Sequence, residues 1–434
     1  MFDSKNKKQY TGYVGYIKNF EQLAATPQRK IVLQLIESAF AAIAPQNIMQ
    51  KNFHYSGSTL TIRDTVYDLA HYERIFVVGF GKGSSGICKY IENSLRERVT
   101  AGWDIDVVDE TFQKIAYTKG THPLPSQTNV TCTETVLSSL QGLTEKDIVI
   151  VVICGGGSAM FESPSIPLPR LAAVNSELLK SGATISEMNV IRKHVSKVKG
   201  GGFAKAIYPA QVVGLLFSDV PGNDMTVIAS GPTVKNASSI EDARKIVAAY
   251  SLQSVAEQDF IETPTDDKYF QKVDNMIMVS NQTALIAMQQ KAKELGYKAV
   301  VLSDRLQGDA KKIGHVLLAE TRPGEILLAG GETTVKVTGE GIGGRNQALV
   351  LASLLSIEGQ EVVAAFDSDG WDYTTFAGAL GDSITLAKAQ SLGLAISSFL
   401  DNDDSTTFFQ KTGDGIDTGK LESNVSDLFI VAKI

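Results

Sequence analysis

The chain has 434 residues, room for two or three domains at roughly 100–200 residues each, so a single small module is excluded. Lys plus Arg number 41 against 48 Asp plus Glu, and the resulting charge of −7 gives no general attraction to nucleic acid or an anionic membrane surface. A hydrophobic fraction of 43% with 21% charged residues excludes a disordered or fibrous chain, and Cys88, Cys132 and Cys154 are too few and too scattered for a disulfide framework or a Cys-cluster zinc site. No apolar core follows the early positive charges, and the longest apolar stretch, 148–154, falls far short of the about 20 residues a membrane span needs. The expectation is a cytoplasmic protein whose partners are small molecules, with no nucleic acid and no membrane and with a homodimer left open.

In chain order, short β-rich apolar runs alternate with longer helical patterns, which predicts an α/β protein with mainly parallel sheets. Expected strands are 74–80, 104–109, 147–153 and 211–219, followed by a second series at 275–281, 298–304, 325–332, 333–339, 361–369 and 427–434. Helices are expected over 26–43, 84–99, 172–180, 240–250 and 282–295. The polar, acidic stretch 251–275 predicts a boundary, giving domains 1–262 and 263–434, with the last strand free to return to the first domain. No fixed-period repeat is present, so solenoids and propellers are excluded.

Ligands of open α/β sheets bind beyond the carboxyl ends of strands, and four loops there are loaded. GFGKGSSG (79–86) matches a dinucleotide fingerprint, but Lys82 inside the turn suits phosphate or carboxylate; the bland reading is a tight strand-to-helix turn. CGGGSAM (154–160) offers Gly155, Gly156, Gly157 and Ser158 as an anion cradle, without the Lys-Ser/Thr ending of a Walker P-loop. In 187–204 a helix running to Gly200 would align Arg192, Ser196 and Lys199 on one stripe able to grip an anion; a solvated helix face is the plain alternative. SDVPGNDMTVIASGPT (218–233) places Asp219 at a strand end, suited to Mg²⁺ or a turn, with Ser230 and Gly231 as further N–H donors.

In the second half, GGETTVKVTGEGIGGRNQ (330–347) puts Arg345 and Asn346 at the opening of a helix, an arrangement that calls for an anion or an ion-pair partner. FDSDGWD (366–372) supplies Asp367, Asp369 and Asp372 after a strand, as metal or hydroxyl recognition requires, without the bidentate Glu of an EF-hand.

HPLPS (122–126), GGGSAM (155–160), SGATISEMNVIRKHVSKVKGG (181–201), SDVPGNDMTVIASGPT (218–233), GGETTVKVTGEGIGGRNQ (330–347) and the aspartate loop at 367–372 together resemble the type II glycerate kinases across nearly the whole chain. The chain departs from the family pattern at Gly202, where a basic residue is expected, at Ala348, where an acidic one is expected, and in extra residues before Asn424. The resemblance implies a Rossmann-like N-terminal domain, a smaller α/β MOFRL domain, and an active site in the cleft between them. It implies ATP-dependent phosphorylation of D-glycerate, usually at the 2-hydroxyl, with Mg²⁺. Lys82 and Arg345 match the two cations thought to lie in that cleft. Ser158, Arg192 and Lys199 are then expected on substrate, Gly155–Gly157, Ser230, Gly231 and Asn346 on nucleotide phosphate, and Asp219 and Asp369 on metal. The rivals are an NAD(P)-dependent hydroxypyruvate reductase using the turn at 81–86 and a non-enzymatic sugar-phosphate-binding regulator.

Overall fold

The computed structural model describes residues 15–434. Three four-residue strands, β1 (Phe53–Ser56), β2 (Thr59–Ile62) and β3 (Thr65–Asp68), form an antiparallel meander that hydropathy pattern had not predicted. A parallel six-stranded sheet follows, built from β4 (Arg74–Phe80), β5 (Ala101–Asp106), β6 (Ile115–Lys119), β7 (Asp147–Ile153), β8 (Gln211–Phe217) and β9 (Val273–Val279) in the order β6-β5-β4-β7-β8-β9. β4 and β7 sit at its centre, buried on both faces, which is why they read as unbroken apolar runs.

The second sheet comprises β10 (Lys298–Asp309), β11 (Glu325–Thr334), β12 (Val362–Asp367), β13 (Gly378–Gly381), β14 (Gly415–Ile416) and β15 (Asp427–Ala432), in the order β10-β11-β15-β12-β13-β14. Only β10 and β11 pair in parallel; the other pairings are antiparallel. The two strands expected over 325–339 are one, ending at Thr334. The chain's last strand does not return to the first sheet but lies at the middle of the second, between β11 and β12.

The sheets do not divide at residue 262. β9, expected to open the second series, pairs with β8 and closes the first sheet. In the other direction, the helix Pro27–Ile43 packs on β12 and β15 of the second sheet, with Phe40 and Phe366 ring centroids 5.1 Å apart. Its Arg29 is fully buried and bonds Asp382 through Nε at 2.6 Å and Asp414 through Nη1 at 2.7 Å. Removing one partner from such a buried network costs roughly 3–5 kcal/mol, so this helix is fastened to the C-terminal sheet although it precedes the first.

Candidate active site

Parallel neighbours β4, β7 and β8 all end at the same edge, so the loops after Phe80, Ile153 and Phe217 converge. On the second sheet, β11 and β12 both run opposite to β15, so Glu332, Asp367 and the start of β15 at Asp427 also share one edge. The two edges face each other across a cavity of about 400 Å³ whose walls include Lys82, Gly155 and Asp219 from the first sheet and Glu332, Arg345 and Asp369 from the second. The loop 422–426 bridges them: Ser426 Oγ donates to the Asp219 carbonyl, and the Glu422 carbonyl lies where a Cβ on Gly83 would come within 2.8 Å.

Lys82 is exposed at this cavity and has no ion-pair partner among the described residues. Its backbone N–H is fixed by the Gly155 carbonyl at 2.8 Å, which locks the two glycine turns together. Gly155 has to be glycine, because a Cβ there would fall 2.2 Å from Asp219 Oδ2. Burial, with Glu332 nearby, pushes the Asp219 carboxyl up to about 6, while a hydrogen bond from its own backbone N–H and the charge of Lys82 pull the other way. His122 joins the same wall beside Gly156; burial and the charge of Lys82 push its imidazole down to about 4, so it is neutral at pH 7.

Arg345 differs in kind. It contacts Glu332 at 3.0 Å, Asp367 at 3.4 Å and Asp427 at 2.8 Å. Burial opposes its charge, but Asp427, Asp367 and Glu332 together hold it above the ordinary arginine value. Burial and repulsion by neighbouring carboxylates push both Asp367 and Asp427 upward. The anion expected beside Arg345 is therefore supplied partly by the protein, and the guanidinium is held in one place. Tyr373, in the left-handed region at φ 59°, lays its ring 5.7 Å from that guanidinium.

Several expected site residues do other work. The helix of 185–194 ends at His194, and the chain then bridges back at Ser196 to Pro164, so no stripe of Arg192, Ser196 and Lys199 exists. Lys199 is buried against Glu162, which also accepts from Ser196 Oγ, and Arg192 bonds Asn175 at 3.0 Å; neither lines the cavity. Asn346 is fully buried, donating to Asp427 Oδ1 at 2.8 Å and Asp372 Oδ1 at 3.3 Å. Asp372 itself caps the helix of 345–353 by accepting from the backbone of Asn346 and Gln347. The N–H groups of Ser230 and Gly231 are spent on Val227 and Ile228 carbonyls, and Ser158 Oγ lies 2.9 Å from Ser230 Oγ outside the cavity wall. Gly202 cannot carry the expected basic side chain because a Cβ would strike the Lys197 carbonyl at 2.1 Å.

The turn at 81–86 does not present a free helix end. Asp106 accepts from the N–H groups of Gly83 at 2.9 Å and Ser85 at 3.2 Å, occupying with a carboxylate the place where a dinucleotide's pyrophosphate would sit. Asp104, where the fingerprint would put a ribose ligand, instead accepts from the Ser84 and Ser85 hydroxyls.

Comparison with known proteins agrees with this reading. The family described as "Domain of unknown function (DUF4147)" matches residues 31–263 and the MOFRL family matches residues 325–427. A curated relative, D-glycerate 2-kinase of Thermotoga maritima, is 32% identical over 424 residues, covering 93% of this chain and 97% of that protein. The chain belongs to the type II glycerate kinase family. A crystal structure of glycerate kinase from Thermotoga maritima superposes with a TM-score of 0.82 at 28% identity, covering 93% of this chain and 99% of that one. A relative in Agrobacterium vitis, named a putative hydroxypyruvate reductase, is 35% identical over 82% of this chain and 98% of its own. In this glycerate kinase family member the filled helix end at Gly83 and Ser85 speaks against the reductase reading.

Sequence reasoning missed His122, Glu332, Asn424 and Ser426, all on the cavity wall. His122 and Glu332 stood inside quoted motifs, HPLPS and GGETT, without being singled out. Asn424 and Ser426 carried no signal, since only the fold brings the last loop over the first sheet.

Proposed function

We propose that the chain transfers the γ-phosphoryl of ATP to D-glycerate, at the 2-hydroxyl, in the cavity between its two sheets. The observation that carries this reading is the opposition of Lys82 and Arg345 across one cavity of about 400 Å³ that also holds carboxylates. A loose phosphoryl-transfer transition state spreads negative charge over equatorial oxygens and asks mainly for positioning and cations. Lys82, exposed on its glycine turn, and Arg345, clamped by three carboxylates, meet that demand from opposite walls. Drawing the walls together completes the site and excludes water from the transferring group.

Mg²⁺ fits the donor set. Among the described residues no three ligating side chains cluster tightly enough to hold an ion unaided. Asp219 and Asp369 nevertheless line one cavity, and Asp219 bears an upward-shifted carboxyl that a cation would relieve. That is the arrangement of an ion held by one or two carboxylates plus nucleotide phosphates and water, where it would neutralise charge on the phosphates. Cys88, Cys132 and Cys154 are all free and buried, which supports a reducing, cytoplasmic setting.

The test follows ATP consumption and NAD(P)H oxidation side by side, with D-glycerate and hydroxypyruvate as substrates, with and without Mg²⁺. The expected result is Mg²⁺-dependent ATP consumption on D-glycerate only, with a product that enolase accepts. Reduction of hydroxypyruvate without kinase activity would overturn the proposal.

A further inference from the structure

Beside the cavity of Lys82 and Arg345 lies a second, of about 460 Å³, within the usual range of small-molecule pockets. Val335, Val337, Leu351, Phe399 and Leu400 give it a mainly apolar lining. The two cavities share Glu332, Arg345 and Tyr373 as common walls. D-glycerate, three carbons and a carboxylate, has no use for an apolar space of this size next to its own site. A ligand with a flat, largely apolar end and an anionic tail does.

Two buried hydroxyls in this lining have no hydrogen-bond partner. Thr333 is 1% and Ser405 2% exposed, and neither Thr333 Oγ1 nor Ser405 Oγ bonds another described residue. Both oxygens are closed off from solvent as well as unpaired, at a cost on the order of 1–3 kcal/mol each, and a turn about χ1 toward the cavity that these residues line would let each meet a polar atom of a ligand. Lys311 adds a donor to the same lining: its Nζ bonds the Leu400 carbonyl and Asp403 Oδ1, each at 2.6 Å, leaving one of three N–H groups unused by these contacts. Asp403 also accepts from the N–H groups of Thr338 at 2.6 Å and Gly339 at 2.8 Å, so the glycine-rich segment forming the roof is strapped to the segment after Leu400.

We infer that this second cavity is the nucleoside subsite: the base and ribose of the nucleoside triphosphate lie against Ala348, Leu351 and Phe399, with Thr333 and Ser405 as hydrogen-bond partners and the phosphates directed past Arg345. The inference rests on the proposed phosphoryl transfer for the identity of the ligand. It assigns the nucleoside to the second sheet, away from the glycine turns at 81–86 and 155–157.

Titration calorimetry with ADP and with inorganic tripolyphosphate tests it without turnover. Ala348→Phe, which fills the cavity, is expected to weaken ADP binding on the order of 10-fold or more and leave tripolyphosphate within about twofold, because only the nucleoside contacts are lost. Ser405→Ala is expected to weaken ADP about 5-fold while thermal stability stays equal or rises, since the unpaired hydroxyl is gone. A folded Ala348→Phe protein binding ADP like wild type would overturn the subsite. Should that variant fail to fold, unchanged ADP affinity in Ser405→Ala does the same, as does a wild-type protein that binds ADP no better than tripolyphosphate. The two readings separate: ADP binding with these dependences but no phosphorylation of D-glycerate keeps the subsite and removes the proposed reaction, whereas D-glycerate kinase activity with ADP binding unaffected in both variants does the reverse.

Discussion

Two glycine-rich turns open helices onto the same cavity, one from each sheet, and they solve one problem in two ways. At 81–86 the helix end is capped by Asp106, which comes from β5, and at 341–345 by Asp372, which comes from the loop after β12. Neither helix dipole is left free for a substrate anion, so the positive charge offered to the cavity comes from side chains. Lys82 is exposed and unpaired among the described residues, whereas Arg345 is mostly buried and held by Glu332, Asp367 and Asp427. One cation has no ion-pair partner among the described residues to give up when an anion enters the cavity. The other is preorganised, and its position is fixed before any ligand arrives.

That contrast predicts different failures. Arg345→Met is expected to lower turnover by on the order of 10³-fold and to reduce the melting temperature, because three carboxylates lose the charge that holds them together. Lys82→Met is expected to lower turnover by on the order of 10²-fold and leave the melting temperature unchanged, since no structural partner is lost. Melting curves and steady-state kinetics on the same preparations decide the matter. Equal destabilisation by both substitutions, or near-normal turnover in either folded variant, breaks the comparison.

The presence of the two cations on one cavity was legible because each sits inside a local glycine pattern. Their surroundings were not. Asp427 lies 81 residues after Asn346, and nothing in GGRNQ announces that this asparagine is tied to two buried aspartates rather than to phosphate. The central strands β4 and β7 were readable to the residue because burial on both faces leaves an uninterrupted apolar run. The meander of β1–β3 was not, since four-residue strands with mixed exposure give too short a period-two signal. The stripe of Arg192, Ser196 and Lys199 failed for a tertiary reason: the chain leaves the helix after His194 to pair with Pro164, and Lys199 turns inward to Glu162.

Asp219 sharpens the comparison from the acidic side. Replacing it with Asn is expected to raise the Mg²⁺ needed for half-maximal activity about 10-fold, with glycerate affinity in the absence of nucleotide little changed. Its pH behaviour carries a sign. The folded carboxyl, near 6, lies above the unfolded value of about 3.9, so its favourable contribution is present below about pH 4 and is lost as pH rises through 6. Without Mg²⁺ and nucleotide, Asp219→Asn should therefore flatten the fall in melting temperature between pH 4 and 7 and match or exceed wild type above pH 7. An unchanged Mg²⁺ titration removes Asp219 from the metal site, and an unchanged pH profile of stability removes the burial argument.

The smallest effect reads the charge of Lys82 directly. His122 lies on the cavity wall, and two influences hold its imidazole near 4: burial, the larger, and the positive charge of Lys82. Lys82→Met removes the second and leaves the first, so the His122 pKa should rise by less than about one unit and stay below the ordinary value of about 6.5. Selective labelling of histidine makes the titration measurable by NMR, since the chain has only five. Arg345→Lys serves as the control: it keeps the charge at its own site, and His122 should not move. A rise to the ordinary value in Lys82→Met would mean that the cation, and not burial, sets the imidazole. No movement at all would place the Lys82 ammonium away from His122, out of the cavity where the comparison between the two cations requires it to be.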